Sequence, residues 1–264
     1  MPRFAANLGY LFTEHPMLER VGAAASAGFR GIELQFPYEV PASAMKAEID
    51  RHRLTILGLN TPPGGREGEF GLAAVPGREK DWELVFGKAL DYIAAIGGSA
   101  VHCLAGKVEP NQRPAADRVF GANLSRAADL AAAKKITLLI EPINPRDRPG
   151  YFLNHLEHAA DVIAKVGKAN VRIQFDFYHM QIVGGDLIHR LEQYLPVIGH
   201  LQCGAVPSRH EPDEGEISYR ALFEAVDRLG YRGWIGAEYR PRKTTEEGLG
   251  WGAPYGLHPP PVNQ

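Results

Sequence analysis

Eight short apolar runs, separated by longer amphipathic stretches, constrain the fold more than any other feature of this chain. They cover residues 3–8, 31–36, 54–60, 99–104, 136–141, 171–176, 198–203 and 233–238. Most are apolar at consecutive positions, as in ITLLI and GWIGA. A strand with one wet face alternates, whereas a strand covered on both faces does not. The runs therefore read as parallel strands covered by helices. Residues 81–96 place Trp82, Val85, Phe86, Ala89, Leu90 and Ile93 on one helix face. A second helix is expected over 117–135, with Lys134 and Lys135 where the helix dipole favours cations. A third, over 219–229, buries Leu222, Phe223 and Val226 and stops at Gly230.

Eight strands with intervening helices in 264 residues predict a (β/α)8 TIM barrel, one domain over residues 1–264. The competing fold is a doubly wound open sheet. Against it, no strand leads into G-x-G-x-x-G or a phosphate loop, so no nucleotide cofactor is expected. A net charge of −2 offers no basic excess for a phosphate backbone, which argues against nucleic acid as a partner. Cys103 and Cys203 are too few for a disulfide framework and sit in strand-like runs, so buried free thiols are expected. A signal-peptide pattern and a membrane-length apolar run are both missing, and the expected setting is cytoplasmic. Two stretches are irregular. Residues 61–79, TPPGGREGEFGLAAVPGRE, form a long Gly- and Pro-rich loop of the kind that is often functional. Residues 252–264 read as an extended or frayed tail.

In a barrel, side chains at the carboxyl ends of the strands converge on one mouth. The fifth run ends in Glu141, the sixth in Asp176 and the eighth in Glu238, and the seventh carries Gln202. Glu33 lies within the second. Any one of these carboxylates alone reads as a solvated or paired strand end. Three on neighbouring strands repel one another unless a cation sits among them. Three carboxylates and an amide oxygen form an all-oxygen donor set that favours a hard divalent ion, Mg2+ or Mn2+, with Co2+ or Ni2+ as substitutes in vitro. His179, three residues after Asp176, either reaches a bound substrate or packs at a helix start. Arg209 and Lys107 follow the seventh and fourth strands, and each is a substrate contact or a plain surface cation. His102 reads as a packed strand residue, and a catalytic Cys–His pair is disfavoured because adjacent strand residues face opposite ways.

These residues also carry a family signature. The chain resembles the hydroxypyruvate isomerase family, within the xylose-isomerase-like barrels. The resemblance runs through RFAANL, GFRGIELQFPY, VPGRE, CLAGK, LLIEPIN, PGYFL, IQFDFYHMQ, IGHLQ, HEPDEGEI, YRGWIGAEY and TTEEGLGW. It implies a (β/α)8 barrel with one divalent metal held by Glu141, Asp176, Gln202 and Glu238, with Glu141 and Glu238 as the acid/base pair. Related ketose 3-epimerases typically carry His where Gln202 stands, which favours the hydroxypyruvate isomerase branch. The resemblance also places His179 and Arg209 on substrate oxygens.

The implied reaction interconverts hydroxypyruvate and 2-hydroxy-3-oxopropanoate (tartronate semialdehyde) through an enediolate. Arg209 is the expected partner of the substrate carboxylate, because its planar fork matches one, and Lys107 is the second choice. The same motifs suit a 2-oxo-tetronate isomerase or a ketose 3-epimerase, so the partner is a small 2-oxo acid or ketose. A non-catalytic ligand-binding barrel is the remaining alternative. Superfamily relatives are often homodimers or homotetramers.

Overall fold

The structure is a computed structural model and describes residues 1–258. Its centre is one parallel sheet of short strands: β1 (Arg3–Asn7), β2 (Gly31–Glu33), β3 (Thr55–Ile56), β4 (Gly58–Asn60), β5 (Ala100–His102), β6 (Thr137–Ile140), β7 (Val171–Asp176), β8 (Ile198–Cys203) and β9 (Trp234–Ala237). Their order is β3-β2-β1-β9-β8-β7-β6-β5-β4. The two ends of that order are halves of one strand, interrupted at Leu57. The Leu57 N–H donates to Ile32 O, and Leu57 O accepts from Ser99 N–H. The ring is thereby closed, and the eight expected strand positions are those of the barrel.

Helices α1 (Met17–Ser26), α2 (Ala42–His52), α3 (Glu79–Ile96), α4 (Arg113–Ala132), α5 (Leu156–Val166), α6 (Phe177–Val183), α7 (Leu187–Tyr194) and α8 (Tyr219–Arg228) lie between the strands. Helix α3 buries Trp82, Phe86, Ala89, Leu90, Ile93 and Ile96 and ends at Gly97, whose φ of 78° suits a residue without a Cβ. Helix α4 starts four residues before the expected 117, next to Pro114, and ends three before 135. Lys135 is not helical; its φ is 58°. Helix α8 buries Leu222, Phe223 and Val226 as expected, each worth about 1.5–3 kcal/mol of transfer free energy. No helix among the described residues is long and apolar enough to cross a membrane.

The tail departs from its expectation. Residues Glu246–Tyr255 form a 3-10 helix, Leu257 is buried, and His258 N–H donates to Ala27 O. The Trp251 and Tyr255 rings each lie 5.0 Å from Phe4. That aromatic contact offsets the cost of ordering the segment. Residues 259–264 lie outside the described residues.

The 61–79 loop is also ordered. Leu72, Ala73 and Ala74 are in the core, and Gly71 bridges to Ala105. Glu69 accepts from the Gly65 and Arg66 N–H groups and pairs with Arg78. Phe70 lies 6.0 Å from Tyr151, with the Arg148 guanidinium 4.1 Å above its ring. The loop is thus packed against the start of α5's preceding segment at the carboxyl end of the barrel.

Candidate active site

A cavity of about 440 Å3 opens at the carboxyl end of the strands. Glu141, Asp176, Gln202 and Glu238 all come to this end, and each is at most 6% exposed. Asp176 closes β7 and caps α6: its Oδ1 accepts from Tyr178 N–H at 2.9 Å. Its Oδ2 stays inside the site, 3.6 Å from His179 Nε2 and 3.3 Å from Arg209. Glu141 follows β6, and its Oε2 accepts from Gln174 Nε2 at 3.0 Å. Glu238 follows β9, and its Oε1 accepts from Gln35 at 3.2 Å and Arg209 at 3.1 Å. Gln202 sits opposite Asp176 in the sheet and donates its amide to Glu33 at 2.6 Å.

The electrostatics reflect three acids with one close cation. Burial pushes Glu141 well above the usual carboxylate range, and Glu238 and Asp176 add to the shift. Burial raises Glu238 to about 8, against the pull of Arg209. It raises Asp176 to about 6, again opposed by Arg209. A divalent cation would reverse these shifts.

Two oxygens mark where such an ion fits. Glu141 Oε1 and Gln202 Oε1 are buried and have no hydrogen-bond partner among the described residues. Oxygen atoms in that state are costly unless something else binds them. Glu141, Asp176 and His179 each offer an atom within 4.8 Å of the others. Glu238 is not in that group, and Arg209 NH2 stands between it and Asp176; the two carboxylates of the group suit a hard divalent ion.

His179 is drawn into the site, but its hydrogen bonds argue against metal ligation. Asn144 Nδ2 donates to its Nδ1 at 2.7 Å, which leaves the hydrogen on Nε2. Burial and nearby Arg209 hold the ring neutral. Its Nε2–H therefore faces the acids as a donor.

Arg209 is not a plain surface cation. It is buried, with φ of 56°, between the Tyr10 and Tyr178 rings. Its NH2 donates to both Asp176 and Glu238, and its NH1 lies 3.7 Å from Asp147. Only NH2 is hydrogen-bonded to these acids; Nε is buried without a partner among the described residues, and the residue lines the cavity. Lys107 is exposed, bridges to Tyr151 and does not line the cavity. The cations that do line the mouth are Arg146, Arg148 and Arg240, besides Arg209.

His102 is a buried strand residue of β5, as expected. It lines the cavity, with Nδ1 3.2 Å from Asn60 Oδ1 and 3.5 Å from Glu141 Oε2. Burial drives it down to about 3, so the ring is neutral. Asn60, Gln35, Gln174 and Tyr10 also line the site and were not singled out in the sequence. Cys103 and Cys203 are buried and free, as expected, and burial raises both thiols. A second cavity, of about 490 Å3, opens at the opposite end and meets the first at Asn60, His102 and Gln174.

A closed parallel barrel with buried carboxylates at the carboxyl ends of its strands defines an α/β-barrel with a polar, cation-ready mouth. Residues 21–255 match the model of the xylose isomerase-like TIM barrel family, and the chain belongs to that family. It is 49% identical to a 2-oxo-tetronate isomerase of Cupriavidus necator, covering 97% of this chain and 99% of that one. It is 40% identical to a hydroxypyruvate isomerase of Escherichia coli, covering 97% and 100%. A crystal structure from Brucella melitensis, described as an AP endonuclease of family 2, superposes with a TM-score of 0.95 at 45% identity over 97% and 99% of the two chains.

Proposed function

We propose that this chain is an isomerase that moves a carbonyl between adjacent carbons of a short 2-oxo acid, with one divalent ion at Glu141, Asp176, Gln202 and Glu238. The observation that carries the reading is that three buried carboxylates, and two buried oxygens without hydrogen-bond partners among the described residues, Glu141 Oε1 and Gln202 Oε1, stand at the carboxyl ends of the strands. The first substrate is hydroxypyruvate, converted to 2-hydroxy-3-oxopropanoate. The second is a 2-oxo-tetronate, favoured by the 49% identity to an isomerase of that name. The ion, Mg2+ or Mn2+, would polarise the substrate carbonyl and stabilise negative charge on oxygen.

The chain's own groups supply the proton transfers. A carboxylate, Glu141 or Glu238, takes a proton from the carbon beside the carbonyl. The enediolate that results is reprotonated at the neighbouring carbon, and one hydroxyl hydrogen passes between the two oxygens. Gln174 orients the Glu141 carboxylate through its Oε2. Glu238 is fixed by Gln35 and Arg209. Positioned acid–base groups of this kind contribute about 10²–10⁴-fold. His179 Nε2–H is placed to donate to a substrate oxygen. Arg209 holds Asp176 and Glu238 in place, and Arg146, Arg148 and Arg240 give the mouth a positive rim for an acidic substrate. The loop carrying Phe70 is the proposed cover that keeps water from the enediolate.

The nuclease description of the Brucella structure is not carried over. A net charge of −2 does not suit a phosphate backbone. The test is a coupled assay of Mg2+- or Mn2+-loaded protein on hydroxypyruvate, 2-oxo-tetronates and free ketoses, with and without EDTA. Metal-dependent turnover of a short 2-oxo acid supports the proposal, and the preferred chain length chooses between the two substrates. Turnover of ketoses alone would replace it with a sugar isomerase or epimerase.

A further inference from the structure

Glu33 is a buried acid that the proposed proton transfers do not use. It ends β2 and is 6% exposed. It lies close enough to Asp176 and Glu238 to make their ionisation harder. A fourth carboxylate beneath an already acidic cluster is unfavourable unless it does something there.

Its contacts show what it does. Three side chains, one on β1 and two on β8 across the barrel, point hydrogen-bond donors or ring nitrogens at it. Gln202 Nε2 donates to its Oε2 at 2.6 Å, Asn7 Nδ2 reaches the same oxygen at 3.3 Å, and His200 Nε2 lies 2.9 Å from its Oε1. The space is made by Gly236, opposite Gln202 in the sheet. A Cβ at Gly236 would overlap Glu33 Oε1 and come within 3.0 Å of Gln202 Cγ. The carboxylate is thus built into the barrel and tied to the amide nitrogen of Gln202.

A Gln side chain has an oxygen and an NH2 that are nearly the same size, and only its neighbours decide which one faces a given site. An ionised carboxylate accepts and cannot donate. Placed below Gln202, it selects the NH2. The amide oxygen is then turned away from Glu33. That oxygen is buried and has no partner among the described residues. Without Glu33, either end of the amide can face the acids, and an NH2 there cannot bind a cation.

We infer that Glu33 is a positioning residue: through Gln202 it presents the amide oxygen, and not the NH2, to the divalent ion. The inference rests on the proposed metal site. It also accounts for a neutral amide serving where a histidine or acid would need no such partner. Groups behind a metal ligand typically change affinity by about 10–100-fold when altered.

The test is Mn2+ binding, read from the free-ion EPR signal, for wild type, Glu33→Gln, Gln202→Ala and the double variant. Glu33→Gln keeps the shape but adds a donor. It should raise the Mn2+ Kd by about 10-fold or more, while adding less than about 2-fold in the Gln202→Ala background. An unchanged Kd in Glu33→Gln overturns the inference. So does an equal loss in both backgrounds, because Glu33 would then act through its charge or the fold. Wild type that binds no Mn2+ overturns the metal site first. Should Glu33→Gln not fold by circular dichroism, the wild-type protein still decides. The Gln202 side-chain NH2, assigned in a 1H–15N spectrum by its loss in Gln202→Ala, should carry one downfield, slowly exchanging proton in the presence of Mg2+. A rapidly exchanging pair overturns the inference.

Discussion

Replacing Arg209 by Met tests the electrostatics of the mouth. Met keeps an unbranched stem between the Tyr10 and Tyr178 rings and removes the guanidinium that pairs with Asp176 and Glu238. Arg209 is only 9% exposed, and its partners less so. Removing one member of a buried ion pair costs roughly 3–5 kcal/mol, because the remaining charges are left uncompensated. At about 2 °C per kcal/mol for a domain of this size, the metal-free variant should melt about 6–10 °C below wild type at pH 8.5. The effect has a pH sign. Glu238 is at about 8 in the folded protein against an ordinary value of 4.5, so the folded state holds its proton more tightly. Stability is then lost as pH rises from the ordinary value through the folded one. Arg209 lowers Glu238, so without it the proton is held to higher pH. At pH 6 the protonated group needs no cation, and the melting deficit should shrink. Saturating Mn2+ should restore about 2–3 kcal/mol at 100 times its Kd. Thermal melts of EDTA-treated protein at pH 6 and 8.5 read all three effects. A deficit that is absent at pH 8.5, or as large at pH 6, would refute the reasoning.

Three further outcomes follow from the same geometry. Mn2+ should bind more tightly as pH rises from 6 to 8.5, because Asp176, at about 6, and Glu238, at about 8, must lose protons to act as ligands; titration calorimetry in two buffers should show proton release, and pH-independent affinity would contradict it. Deleting residues 64–68 should lower turnover and leave the circular dichroism spectrum intact, and unchanged turnover would end the cover role of the 61–79 loop. Lys107→Ala should leave kcat and KM within about 2-fold, as for an exposed side chain away from the cavity; a large rise in KM would return Lys107 to the site.

The barrel was legible because its strands are covered on both faces, so consecutive apolar residues such as those of ITLLI mark them. Strand ends were legible too, since a carboxylate directly after such a run stands out, as Glu141, Asp176 and Glu238 do. The inner lining was harder to see. Gln174 with Asp176, and His200 with Gln202, are polar pairs two residues apart within one strand. That spacing puts both members of a pair on one face, and the structure places all four inside the barrel. His102 gave the same signal more faintly, as one polar residue between Val101 and Cys103. Arg209 and Lys107 sit in loops whose return path no strand pattern encodes. Only the packed loops reveal that Arg209 turns inward to Asp176 and Glu238 while Lys107 stays exposed. The order of the tail rested on Trp251 and Tyr255 meeting Phe4, a contact between chain ends that local sequence does not announce.

The most direct measurement is the coupled assay of Mg2+- or Mn2+-loaded wild type beside Glu141→Gln and Glu238→Gln, on hydroxypyruvate and 2-oxo-tetronates. If these two carboxylates carry the proton, each amide variant stays folded and loses about 10²–10⁴-fold in kcat on whichever acid the wild type turns over. Folded, metal-loaded variants that both keep near-wild-type turnover would contradict the account.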